Sequence, residues 1–123
     1  MPRILIADDH PIVRRCVRRT LEDNGWEVCG EARTGREAVM MTAAQRPEIV
    51  VLDLSMPELN GLDAAREIHK QRPETKMLIL TMHDTEELIP ELRASGVRDC
   101  VLKTDLQQLV TAVQSVMSHN ESA

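Results

Sequence analysis

The chain has 123 residues, enough for one domain with a real core and too few for two of ordinary size. Hydrophobic residues make up 42% and charged residues 28%, which excludes an intrinsically disordered chain, and the net charge of -5 argues against a domain that grips nucleic acid through its phosphates. No apolar stretch approaches a membrane span, and Asp8 and Asp9 break the N-terminal apolar run where a signal peptide needs continuity, so a cytoplasmic address with no membrane partner is expected.

In chain order, short apolar runs alternate with helical patterns. The first strand candidate, "ILIA", runs straight into Asp8, Asp9, His10 and Pro11. Pro11 suits a first helical turn, and Val13, Cys16, Val17, Thr20 and Leu21 follow at helical spacing, leaving Arg14, Arg15, Arg18 and Arg19 on the other face. That basic face is expected to be solvated or to dock an acidic surface. His10 reads as a helix-start residue rather than a chemical group. "EVCGEA" is the second strand, and a weaker stripe through Ala38, Val39 and Thr42 marks a helix from about Gly35 to Gln45. "IVVLD" is the third strand, followed by the breaker-rich "LSMPELNG" and a helix through Leu62, Ala65 and Ile68 that Pro73 stops.

"MLILT" is the fourth strand. Asp84 and Glu87 resemble a helix start, yet Pro90 would disrupt a helix interior, so the fourth helix either begins near Ile89 or is kinked there. "DCVLK" is the fifth strand, and Leu106, Leu109, Val110, Val113 and Met117 mark the last helix, with Thr104 and Gln107 as a candidate capping box. The tail "SHNESA" is expected to fray or lead into a linker, giving one domain over residues 1–117 and a tail over 118–123. Cys16, Cys29 and Cys100 are too few and too widely spaced for a zinc site or a disulfide framework, and are expected to be reduced and buried. Five apolar strands alternating with helices imply right-handed crossovers and a doubly wound α/β fold: a five-stranded parallel sheet with helices on both faces.

Ligands of such sheets bind beyond the carboxyl ends of the strands. Those ends carry Asp8 and Asp9, Asp53, Thr81 and Lys103, while the second strand carries none, as suits an edge. Asp8, Asp9 and Asp53 on one rim are hard oxygen donors that call for a hard dication, and Mg2+ fits best. A carboxylate beside such an ion can attack phosphorus to give an acyl phosphate, with Lys103 offsetting charge and Thr81 donating to a phosphoryl oxygen. Asp53, alone at the end of the most apolar strand, is the candidate nucleophile.

With these residues in place, the chain resembles the receiver domain of bacterial two-component response regulators from about Arg3 to Met117. The resemblance rests on the Asp8-Asp9 pair, "VLDLSMPELNGLDAAREI" around Asp53, Thr81, and Lys103 in "CVLK". "ADDHPIVRR" and "LTMHDTEE" are similar to the branch that usually carries a LuxR-type helix-turn-helix output domain. The resemblance implies a flavodoxin-like sheet of order 2-1-3-4-5 and phosphotransfer from a sensor histidine kinase to Asp53. It implies Mg2+ bound by Asp9 and Asp53, by Asp8 through water, and by the backbone carbonyl of Ser55. Thr81 and Lys103 would sense the phosphoryl group and shift an output surface, controlling transcription through a DNA-binding domain that lies beyond this chain. The chain would then be a fragment, a signalling phospho-acceptor rather than an enzyme, and a candidate for phosphorylation-dependent homodimerisation.

Two departures from the pattern bear on switching. Such receivers usually place an aromatic switch residue in the fifth strand, where this chain has Cys100, and Pro90 stands in the fourth helix. They motivate an alternative, a degenerate receiver acting only as a protein-interaction module. An aspartyl-nucleophile phosphatase of the haloacid-dehalogenase type is a more distant rival, since it needs an aspartate where Ser55 stands.

Overall fold

The computed structural model describes residues 2–83 and 86–121. Five strands alternate with five helices: β1 (Arg3–Ala7), α1 (Pro11–Asp23), β2 (Glu27–Ala32), α2 (Gly35–Gln45), β3 (Ile49–Asp53), α3 (Gly61–Gln71), β4 (Lys76–Thr81), α4 (Ile89–Ala94), β5 (Val97–Leu102) and α5 (Leu106–Glu121). All strand pairs are parallel, in the order β2-β1-β3-β4-β5.

Alternation along the central strands explains the layering. Side chains two apart share a face: Leu5, Val50, Leu52, Met77 and Ile79 pack with Ala38, Ala64, Ala65, Ile68 and Leu92 of α2, α3 and α4. The intervening Ile4, Ile6, Ile49, Val51, Leu78 and Leu80 pack with Val17 and Leu21 of α1 and Leu109 and Val113 of α5. Both faces of β1, β3 and β4 are therefore dry, which is why these strands read as unbroken apolar runs. Ladder bonds continue past the strand ends and bring the rim residues into rank. Asp8 N–H donates to Ala32 O at 3.0 Å, Leu54 N–H to Leu80 O at 3.0 Å, and Lys103 N–H to Thr81 O at 2.8 Å.

The fourth helix begins at Ile89 after a 3-10 turn (Glu86–Leu88), so Pro90 lies in the first turn, where no backbone donor is required. Asp84, the expected start signal, lies outside the described residues. α5 starts at Leu106, not at the Thr104 capping box: Lys103 and Thr104 form a turn closed by Asp105 N–H on Leu102 O at 3.1 Å. The helix also continues past Met117 to Glu121, while Ser122 and Ala123 lie outside the described residues. Cys16 is exposed and Cys29 and Cys100 are half-buried, against the expectation of buried thiols. In α1 the buried positions are Val17 and Leu21, four apart, and Cys16 falls one step off that line. No helix among the described residues is long and apolar enough to cross a membrane.

Candidate functional site

Asp8 follows β1 and is fully buried; Asp53 closes β3 and is 3% exposed. Two buried carboxylates so close resist ionisation unless a cation shares the space. That cation is Lys103, immediately after β5, whose side chain is 5% exposed. Its Nζ lies 2.9 Å from Asp8 Oδ2 and 3.1 Å from Asp53 Oδ1. Burial alone would lower the lysine, but the two carboxylates outweigh it and hold Lys103 above its usual range. Asp53 is pushed up, first by burial and then by Asp8, against the opposing pull of Lys103.

Asp53 Oδ1 also accepts from Ser55 N–H at 3.3 Å, whereas Asp53 Oδ2 is buried without a hydrogen-bond partner among the described residues. A buried carboxylate oxygen left unsatisfied is costly, and an oxygen-seeking cation is one way to satisfy it. Asp9, by contrast, is exposed. Donor atoms of Asp8, Asp9, His10 and Asp53 all lie within 4.8 Å of one another, so the residues present fit a divalent ion. Ser55 is exposed beside this cluster, in the loop leaving β3.

Close backbone packing holds that loop. Gly61 N–H donates to Leu54 O at 2.9 Å, and a β-carbon on Gly61 would stand 2.4 Å from Asp53 O. Only a glycine lets α3 start this near the candidate nucleophile. Thr81 is buried at the end of β4, and its Oγ1 accepts from His83 N–H at 3.2 Å. The Lys103–Thr81 backbone bond ties the two candidate sensors together.

Cys100 stands apart from the cluster. Together with Thr81, Ile89, Leu92 and Val97 it lines a cleft of about 420 Å3 between α4 and β5.

Two residues read as peripheral belong to the site's framework. His10 Nδ1 lies 3.1 Å from both Asp8 Oδ1 and Asp9 Oδ1. Arg14 donates through Nη1 to Asp8 O at 2.7 Å and through Nε to Glu31 Oε1 at 3.0 Å, and Arg18 reaches the same glutamate. Partial burial pushes Glu31 up, but Arg18 and Arg14 outweigh it and hold it below the usual carboxylate range. The predicted basic face is thus partly consumed in anchoring α1 to the edge strand. The signal that could have found Arg14 is its i+4 spacing to Arg18 opposite the acidic Glu31; a backbone acceptor such as Asp8 O carries no sequence signature.

The family described as response regulator receiver domain matches residues 4–114. The response regulator UvrY of Escherichia coli K12 is 36% identical over 120 residues, covering 96% of this chain and 55% of UvrY. The chemotaxis protein CheY of Thermotoga maritima is 37% identical over 101 residues, covering 82% of this chain and 84% of CheY. Among solved structures, a LuxR-family two-component response regulator from Aurantimonas sp. SI85-9A1 superposes with a TM-score of 0.92 at 34% identity, over 97% of this chain and 86% of that one. The chain therefore spans little more than half the length of UvrY.

Proposed function

The chain belongs to the response regulator receiver domain family, whose members work in phosphorylation-based signalling, and from that premise we propose that Asp53 accepts a phosphoryl group. The donor is the phosphohistidine of a sensor histidine kinase in the cytoplasm. The observation that carries this reading is the Asp8–Lys103–Asp53 triangle, in which the carboxylate closing β3 faces a buried ammonium and keeps one oxygen unsatisfied.

Asp8, Asp9, Asp53 and the carbonyl of Ser55 would hold Mg2+, which when bound supplies positive charge against the phosphoryl oxygens. Asp53 attacks phosphorus while the bond to the kinase imidazole nitrogen breaks, and the product is an aspartyl phosphate. Lys103, already within reach of Asp53, exchanges that contact for a phosphoryl oxygen and balances the added charge. Thr81 Oγ1, at the end of β4, donates to another. These two displacements reach the α4–β5 side through the Lys103–Thr81 backbone bond and bias two arrangements of an output surface. Cys100 is the proposed switch position in that surface. Transcription is the proposed output, through a DNA-binding domain outside residues 1–117, with residues 118–123 leading toward it. The protein is a switch whose own catalysis is confined to self-phosphorylation and self-dephosphorylation.

The test is intact mass after incubation with acetyl phosphate or phosphoramidate and Mg2+. A phosphoryl adduct that disappears in Asp53→Asn is expected. An intact chain that takes up no phosphoryl group sinks the proposal and leaves an interaction module that signals without phosphorylation. Gel filtration with beryllofluoride tests the homodimer: earlier elution is expected, and unchanged elution excludes dimerisation as the output.

A further inference from the structure

His10 precedes α1 as its N-cap residue, yet its side chain makes no capping hydrogen bond. The ring turns instead to the acidic pair, with Nδ1 at 3.1 Å from Asp8 Oδ1 and at 3.1 Å from Asp9 Oδ1. An octahedral cation with bonds of about 2.1 Å holds neighbouring donors about 3.0 Å apart. Both separations therefore suit two edges of one coordination face as well as they suit hydrogen bonds. A neutral imidazole protonated at Nε2 presents the Nδ1 lone pair in this direction.

A cluster of carboxylates alone would not make the case. A second observation is the unsatisfied Asp53 Oδ2, on a side chain 4% exposed, whose carboxylate belongs to the same group of donors. The two kinds of donor in this group discriminate between cations. Carboxylate oxygens serve hard and borderline ions alike, whereas imidazole suits Ni2+, Co2+ and Zn2+ and contributes little to Mg2+, which keeps oxygen ligands and water.

We infer that His10 is a further metal ligand, one that lets this site take a borderline divalent transition cation in preference to Mg2+. The inference rests on the cation site of the proposed phosphoryl acceptor. Magnesium would use the oxygens and leave His10 aside; a transition cation would draw the imidazole in. The backbone at His10 is already fixed, since its N–H donates to Asp8 Oδ1 at 2.8 Å, so recruitment requires that the ring carry its proton on Nε2 and trade its Nδ1 hydrogen bonds for a bond to the ion.

Isothermal titration of the metal-free chain with NiCl2 and with MgCl2 tests this, on wild type, His10→Ala and Asp9→Ala. His10→Ala should weaken Ni2+ about tenfold or more and leave Mg2+ within about twofold. Asp9→Ala should weaken both, which separates this site from the other three histidines of the chain. Visible absorption of bound Co2+ gives an independent readout, because losing a nitrogen donor should shift the ligand-field bands in His10→Ala. Unchanged Ni2+ affinity in His10→Ala, or equal losses for Ni2+ and Mg2+, overturns the inference. A gain in Mg2+ affinity without a loss for Ni2+ overturns it equally, since His10 would then merely occupy the pocket. If Asp9→Ala leaves Mg2+ affinity unchanged, the cation site of the proposed function fails instead.

Discussion

At the ends of β1 and β3 the rim is held by backbone bonds and ion pairs, whereas beside β5, two strands from β3, a cleft of about 420 Å3 opens under α4. On the first side Lys103 bridges Asp8 and Asp53, and Arg14 fixes the Asp8 carbonyl. On the second, α4 is six residues long and buries Leu92 alone. A rigid charged centre next to a loosely packed element teaches how a small chemical event can have a structural effect. Ion pairing at the centre changes by several kcal/mol when a partner is removed. The neighbouring element opposes rearrangement with few buried contacts.

The largest expected effect comes from breaking the rigid side. Lys103→Met leaves Asp8 and Asp53 facing each other in a dry site, and should cost about 3 kcal/mol of metal-free stability in urea denaturation. A cost below about 1 kcal/mol would mean that water already shields the pair. The pH dependence has a defined sign. Lys103 is held above its usual range when folded, so its contribution is fully present below the unfolded-state value of about 10.4 and is lost as pH rises through the folded value. Wild type should therefore show an alkaline loss of stability that Lys103→Met lacks.

Asp9→Ala sharpens the comparison within the rigid side. Asp9 is exposed, so its removal should leave metal-free stability almost unchanged while Mg2+ affinity falls about tenfold or more. Equal affinity for the two proteins, measured by titration calorimetry, would place the cation elsewhere.

Asp53→Asn tests the electrostatic cost of the centre. Asp53 is held above the usual carboxylate range, so its charge opposes folding at neutral pH, and the neutral amide should raise the metal-free melting temperature by about 3 °C. The gain should shrink as pH falls through the range between the raised folded value and the unfolded value near 3.9, because the wild-type carboxyl then protonates. Added Mg2+ should reverse the order of the two proteins. A variant less stable than wild type at pH 7 without metal would show that the Lys103 contact outweighs burial.

The fold was legible because its physics is local. Short continuous apolar runs such as "IVVLD" and "MLILT", bounded by breakers, read as strands with both faces covered, and alternate residues do divide between the two cores. The order of strands was not legible from periodicity, and came from the resemblance carried by the strand-end residues. Asp8, Asp53, Thr81 and Lys103 were findable since each ends or follows a strand. His10 and Arg14 were not: one depends on which way a ring turns beside a helix start, the other on a carbonyl acceptor. The Thr104 capping box misled for a similar reason. Its spacing was right, but the ladder bond of Lys103 on Thr81 carries the chain into a turn first, and the helix begins two residues later.

The smallest expected effect concerns the open side, and Cys100→Phe is the way to close it. Cys100 is half-buried on β5 and lines the cleft with Thr81, Ile89, Leu92 and Val97, so an added ring would meet apolar neighbours on both α4 and β5. Burying that ring should stabilise by about 1 kcal/mol or less, because an edge strand leaves part of it in water. The informative readout is where the gain falls. If α4 is held weakly for want of packing, amide exchange should slow in Ile89–Ala94 by more than in β1 or β3, whose opening is already limited by the rim. Uniform slowing across all three would mean that α4 and the acidic centre open as one unit, and the contrast between a rigid centre and a loose neighbour would have to be given up.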